Sequence, residues 1–208
     1  MPKTPCAVAA RLIVAALLLA AAAGGPVRAE PPAAPTPAPA PPTPQTPAAP
    51  KPAPIILVDT YLALREVAFS THSEDVEVQA KPGVEQAYGV IVEFWEKDQI
   101  VTVTAFASGD SSLYFSKGGG MIGGRREPLV SSAAGSLVAD AQVRLADVPL
   151  VKPYPTPDPG AVRVYVLTTV GLRGAQATQI DIVAADEKLN PLYAGAQRIV
   201  SEFRAARP

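Results

Sequence analysis

Cysteine and histidine are almost missing from this chain: among 208 residues each occurs once, as Cys6 and His72. Cys6 precedes the apolar run Leu12–Ala23, so it is not the acylated cysteine of a lipoprotein, which follows such a run, and removal of the leader takes it away. A mature chain without cysteine excludes disulfides, a Cys/His nucleophile and a thiolate metal centre. A Ser/His/Asp triad would rest wholly on His72. The carboxylates beside it, Glu74, Asp75 and Glu77, offer no second imidazole, and a metal site needs several convergent ligands. Basic charge is also scarce. Without Lys3, Arg11 and Arg28 the chain keeps 15 basic against 19 acidic residues, a net charge of −4, which argues against nucleic acid or anionic lipid as a partner. Long apolar runs are limited to those twelve residues, short of the roughly 20 that span a bilayer.

What is present begins with an address. Lys3 and Arg11, the apolar run and the small-residue site Val27-Arg28-Ala29 predict a secretory signal peptide over residues 1–29, cleaved after Ala29. The protein is therefore expected to be exported, periplasmic or extracellular, with an uncleaved signal tethering it to the membrane as the rival reading. Residues 30–54 follow as a proline-rich linker: Pro31–Pro54 holds 12 of the 24 prolines and almost no charge or large apolar group. Such a composition cannot build a core and predicts a disordered, semi-rigid spacer reaching on the order of 70 Å.

Residues 55–208 are expected to form a single globular domain. Ile55–Ser70 places Val58, Tyr61, Leu62, Arg65 and Phe69, with Leu57, Leu64 and Ala68, on one broad helical face. Ala87–Glu96 and Ile100–Ala107 read as a hairpin. In its first strand Tyr88, Val90, Val92 and Phe94 are expected on one face and Ile91 and Trp95 on the other, which implies a sheet covered on both sides. A third strand spans Ser112–Ser116. After the glycines, Val130, Ala134, Leu137, Ala141 and Leu145 repeat as a helical stripe entered through Pro128, and close packing against the sheet would explain Gly135 within it. Asp147–Gly160, with five prolines, is an irregular crossing over the domain's edge. Ala161–Val170 is a strand and Ala175–Val183 its partner. Asn190 is expected to cap a last helix whose Leu192, Ala196, Ile199 and Phe203 share one face. The order α-β-β-β-α-β-β-α predicts an α+β domain, an antiparallel or mixed sheet of about five strands with three packed helices. In outline this is similar to profilin-like and roadblock-like modules.

The least ordinary stretch is Ser111–Arg126, SSLYFSKGGGMIGGRR. Gly118, Gly120 and Gly123 satisfy G-x-G-x-x-G, but no parallel strand follows the helix closely, so a dinucleotide is not expected. Arg125-Arg126 after Gly119–Gly124 lacks the Lys and Ser/Thr of a phosphate-binding P-loop. Two readings survive. The glycines can supply positive φ and close approach for a strand-to-helix joint. Alternatively Lys117, Gly118, Gly119, Gly120, Gly123, Gly124, Arg125 and Arg126 can hold a small anionic ligand or a partner's carboxylate. Ser112-Leu113-Tyr114 running into Gly118–Gly120, Ile122 and Gly123 resembles a pattern found in uncharacterised bacterial proteins. That likeness covers the folded part only and implies no activity.

No complete acid, base and stabiliser set accompanies these features. Glu93 and Glu96, the nearest carboxylate pair, belong to opposite strand faces. No cofactor and no metal are expected. The sequence leads to a non-enzymatic binding module of the cell envelope, its partner an envelope protein or a small anion met near Lys117–Arg126, with a hydrolase as the weaker alternative.

Overall fold

In a computed structural model of the chain the described residues are 57–206, apart from 185 and 187; the leader and the linker lie outside them. The fold is α+β. Six strands, β1 (Ala87–Glu96), β2 (Gln99–Phe106), β3 (Ser111–Phe115), β4 (Gly120–Ile122), β5 (Ala161–Thr168) and β6 (Leu172–Thr178), form one antiparallel sheet in the order β4-β3-β2-β1-β5-β6. The four described helices are α1 (Asp59–Ser70), α2 (Pro128–Gln142), α3 (Gln179–Ala184) and α4 (Asn190–Ala206).

The central strand β1 pairs β2 over its tight turn and β5 on its other side, which places β1 and β5 beneath helices on both faces. One face carries α2, α3 and α4. There Val90, Val92, Phe94, Val101, Val103, Leu113, Val162, Val164 and Val166 meet Val130, Leu137, Leu192, Ile199 and Phe203 in one core. The other face carries α1 and the proline-rich crossing, over Ile91, Ile100, Phe106, Tyr114, Tyr165 and Leu167. None of the helices among the described residues is long and apolar enough to cross a membrane.

Several expectations are corrected. Among the described residues the sheet has six strands and is packed by four helices, because two short elements carry no readable pattern. Strand β4 is three residues long and contains a glycine, too short for an alternation to register. Ala175–Val183 is not one strand: the chain leaves β6 at Thr178 and turns into α3, where the Thr178 hydroxyl accepts the Asp181 N–H at 3.1 Å and donates to Asp181 Oδ2 at 2.7 Å. Thr178-x-x-Asp181 is a capping-box spacing, and it ends the strand. Tyr88 lies with Ile91 and Trp95, not with Val90, because the β1–β5 register shifts between Ala87 and Gly89; the bulge moves one side chain to the opposite face. Gly135 does not pack closely, since nothing lies within 4 Å of where its Cβ would be. The close helix contact is made instead by Gly195 of α4, where a Cβ would stand 2.9 Å from Leu137 Cδ1. Asn190 lies inside α4 and its amide donates to the Ile182 carbonyl, while Asp186 Oδ1 accepts the Lys188 and Leu189 N–H groups ahead of the helix. Helix α1 begins at Asp59, after Val58 has donated its N–H to the Ser116 carbonyl at 3.1 Å.

Candidate functional site

The glycine stretch divides into two ends. Lys117–Gly119 make the turn between β3 and β4, where the Gly118 N–H reaches the Phe115 carbonyl at 2.9 Å and the Phe115 N–H reaches the Gly119 carbonyl at 3.2 Å. Gly118 and Gly119 have φ of 103° and 85°, values that a side chain would disfavour. Strand β4 then carries the chain back along β3, and Gly123–Arg126 form the joint into α2. Gly124 is buried there, its Cα turned toward Val130, Phe203 and the Ser111 carbonyl.

This hairpin separates the cations. Lys117 pairs with Asp98 of the β1–β2 turn. Arg125 lies 3.4 Å from Glu77 Oε1 and 3.5 Å from Asp110 Oδ2, at the β2–β3 turn. Those turns lie at opposite ends of β2, and β3, of five residues, runs between the two cations, a separation on the order of 17 Å. The eight candidate residues therefore do not converge on one cradle: Lys117 and Gly118–Gly120 lie at one end of the edge hairpin, and Gly123, Gly124, Arg125 and Arg126 at the other. The second end also presents apolar surface, because Ile122 is 60% exposed and Leu129 63% exposed.

The densest chemistry in the domain was not singled out by the sequence. On the α1 face, Glu93 of β1 is wholly buried and takes a two-pronged bond from Arg65, Nε to Oε1 at 2.7 Å and Nη2 to Oε2 at 2.8 Å. Thr102 of β2 donates to Oε1 at 3.1 Å, and the Tyr61 hydroxyl stands 3.3 Å from Oε1 and 2.9 Å from Thr102 Oγ1. Arg65 Nη2 also donates to the carbonyls of Tyr154 and Pro155, at 2.7 and 3.2 Å. Its guanidinium lies against the Phe69 and Tyr154 rings, 4.7 and 5.4 Å from their centroids. One signal pointed here: an arginine on the apolar stripe of a helix and a glutamate in the most apolar strand have no tolerable solvent in common, so each needs the other.

This cluster is saturated rather than poised. Among the described residues every buried side-chain nitrogen and oxygen has a hydrogen-bond partner. Burial works against the Arg65 charge, but the hydrogen bond and charge of Glu93 outweigh it and raise its pKa. Burial, with the Glu93 charge adding to it, pushes the Tyr61 hydroxyl far above the ordinary phenol range, and burial pushes Tyr165 up to about 12. A phenol that the fold keeps neutral contributes stability that is complete below the ordinary value near 10 and lost as pH rises through its folded value. In an absorbance titration Tyr61 and Tyr165, two of the six tyrosines, should therefore stay protonated at pH 11 while the fold persists. Ionisation of all six together below pH 11 would show that the cluster is open to water.

Among the described residues the remaining carboxylates do not assemble. Glu93 and Glu96 point to opposite faces as expected, the first to Arg65 of α1 and the second to Arg204 of α4 at 3.2 Å. The exposed His72 has its Nδ1 3.7 Å from Asp75 of its own loop. No group of three potential metal ligands occurs among the described residues. Comparison of the chain with family models, with curated proteins and with solved structures gave no match.

Proposed function

We propose that the chain is an exported single-domain interaction module of the cell envelope, non-enzymatic, which binds a protein through the Gly123–Arg126 end of its edge hairpin. The observation that carries this reading is the outer edge of β4, the terminal strand of the sheet, with Ile122 and Leu129 exposed beside Arg125 and Arg126. An edge strand offers backbone N–H and C=O groups to an extended segment of a partner, and exposed apolar side chains beside it give that segment something to bury. The Arg125 pairs with Glu77 and Asp110 are long and solvent-exposed, so a partner's carboxylate can replace them at little cost. The expected partner segment is extended and acidic. A small anion held by all three cations together is less well served, since Lys117 stands at the far end of the hairpin.

Recovery of partner from envelope extracts separates these readings. The double variant Arg125→Ala/Arg126→Ala and, independently, Ile122→Ser should each reduce capture by about tenfold or more. Both should unfold within about 1 kcal/mol of the native chain, as expected for exposed positions. Equal recovery by the native protein and both variants would overturn the placement.

A further inference from the structure

The crossing between α2 and β5 is held to the sheet in the manner of a bound ligand. Lys152–Pro157 reads Lys-Pro-Tyr-Pro-Thr-Pro, and none of its backbone N–H groups donates a bond among the described residues; its carbonyls accept instead. Three donors from the domain reach them. Trp95 Nε1 donates to the Pro157 carbonyl at 3.2 Å, the Tyr165 hydroxyl to the Pro155 carbonyl at 2.5 Å, and Arg65 to the Tyr154 and Pro155 carbonyls. The floor is aromatic: Phe69 stacks on Tyr154 at 4.2 Å between centroids and meets Tyr165 edge-on at 5.0 Å. Aromatic walls with an indole N–H and a phenol O–H aimed at carbonyls two residues apart are the chemistry that reads proline-rich chains, whose stiff backbone leaves its carbonyls unpaired.

We infer that the surface formed by Arg65, Phe69, Trp95 and Tyr165 is a polyproline-recognition groove, occupied in this structure by the domain's own loop, and that its outside ligand is an extended segment containing Pro-Thr-Pro. Two further observations support exchange. A cavity of about 320 Å³ opens beside the loop, between Val151, Pro153 and Pro155 on the loop side and Arg163, Tyr165 and Gln176 of β5 and β6, so the loop has free space next to Tyr165. Pro153 and Pro155 are themselves exposed, which leaves the resident segment held by its carbonyls and by Tyr154 and the buried Pro157. The ligand sequence is also at hand: Pro155-Thr156-Pro157 recurs as Pro35-Thr36-Pro37 and Pro42-Thr43-Pro44.

A resident loop lowers the apparent affinity for any outside ligand by the fraction of time that the groove is free. Loosening it must therefore tighten binding. Trp95 is the sole tryptophan and sits in the groove, so its emission reports occupancy directly. The full chain with alanine in place of Pro35, Pro37, Pro42 and Pro44, so that its own linker does not compete, is titrated with a synthetic peptide of the sequence 31–54 and with the same peptide carrying alanine at every proline. The native peptide should change Trp95 emission saturably, the alanine peptide should not, and Thr156→Gly should tighten the response by about tenfold. If that variant loses its far-UV circular dichroism, Pro153→Ala at an exposed position replaces it. No emission change at about 1 mM peptide with either the linker-substituted chain or its loosened variant, or an equal response to the alanine peptide, would overturn the inference.

Discussion

Replacing Arg65 by alanine should cost about 3–5 kcal/mol of unfolding free energy, the largest single effect expected in this domain. The change leaves the Glu93 carboxylate, wholly buried, with only Thr102 and Tyr61 for company. It also strips the Tyr154 carbonyl of its donor and frees the crossing loop from α1. The reverse comparison separates the worth of the pair from the damage of halving it. Arg65→Met/Glu93→Leu removes both charges and should unfold within about 2 kcal/mol of the native protein, since a buried ion pair seldom outperforms an apolar pair of similar volume. Denaturant titration of the three proteins gives the numbers. A small loss for Arg65→Ala, under about 1 kcal/mol, would mean that water reaches Glu93 and that the cluster is not sealed.

Gly124→Ala should be the second largest, on the order of 2–3 kcal/mol, because the added methyl overpacks a junction that cannot open. It would stand 2.6 Å from Val130 Cγ1, 2.9 Å from Phe203 Cζ and 3.0 Å from the Ser111 carbonyl, at the meeting of α2, α4 and β3. Gly119→Ala is the control. Nothing lies within 4 Å of a Cβ there, so its cost is only that of holding a side chain at φ 85°, about 1–2 kcal/mol. Thermal unfolding of both proteins checks the order; equal losses would remove close packing as the reason for Gly124.

The two substitutions also mark what the amino-acid sequence reveals. Helical stripes were legible wherever one face is buried: Val130, Ala134, Leu137 and Ala141 in α2, and Leu192, Ala196, Ile199 and Phe203 in α4, are all buried as their spacing requires. The two-sided sheet was legible from β1, whose apolar residues point both ways. Short elements were not, because β4 and α3 hold too few residues for a period to emerge, and only the Thr178–Asp181 spacing marked the second. The glycine stretch showed its type but not its geometry: nothing local says that Lys117 and Arg125 end on opposite sides of a hairpin. Arg65 and Glu93 are 28 residues apart and meet only because α1 lies across β1. Sequence periodicity places each on a buried face, and two opposite charges on buried faces are the one local sign that they meet. The proline-rich crossing looked like a cover for an edge; it also lies over the aromatic face, which depends on where Trp95 and Tyr165 project.

The module reading is tested most directly by placing a photo-activated cross-linking side chain at Ile122 and, as a control, at Ile180. Both positions are exposed, but Ile180 lies on α3, which follows β6, the strand at the edge opposite β4. Irradiated in cells that produce the protein, the Ile122 form should yield a discrete cross-linked partner, lost on adding Arg125→Ala/Arg126→Ala, and the Ile180 form should not. A partner captured equally at both positions, or at Ile180 alone, would contradict the account.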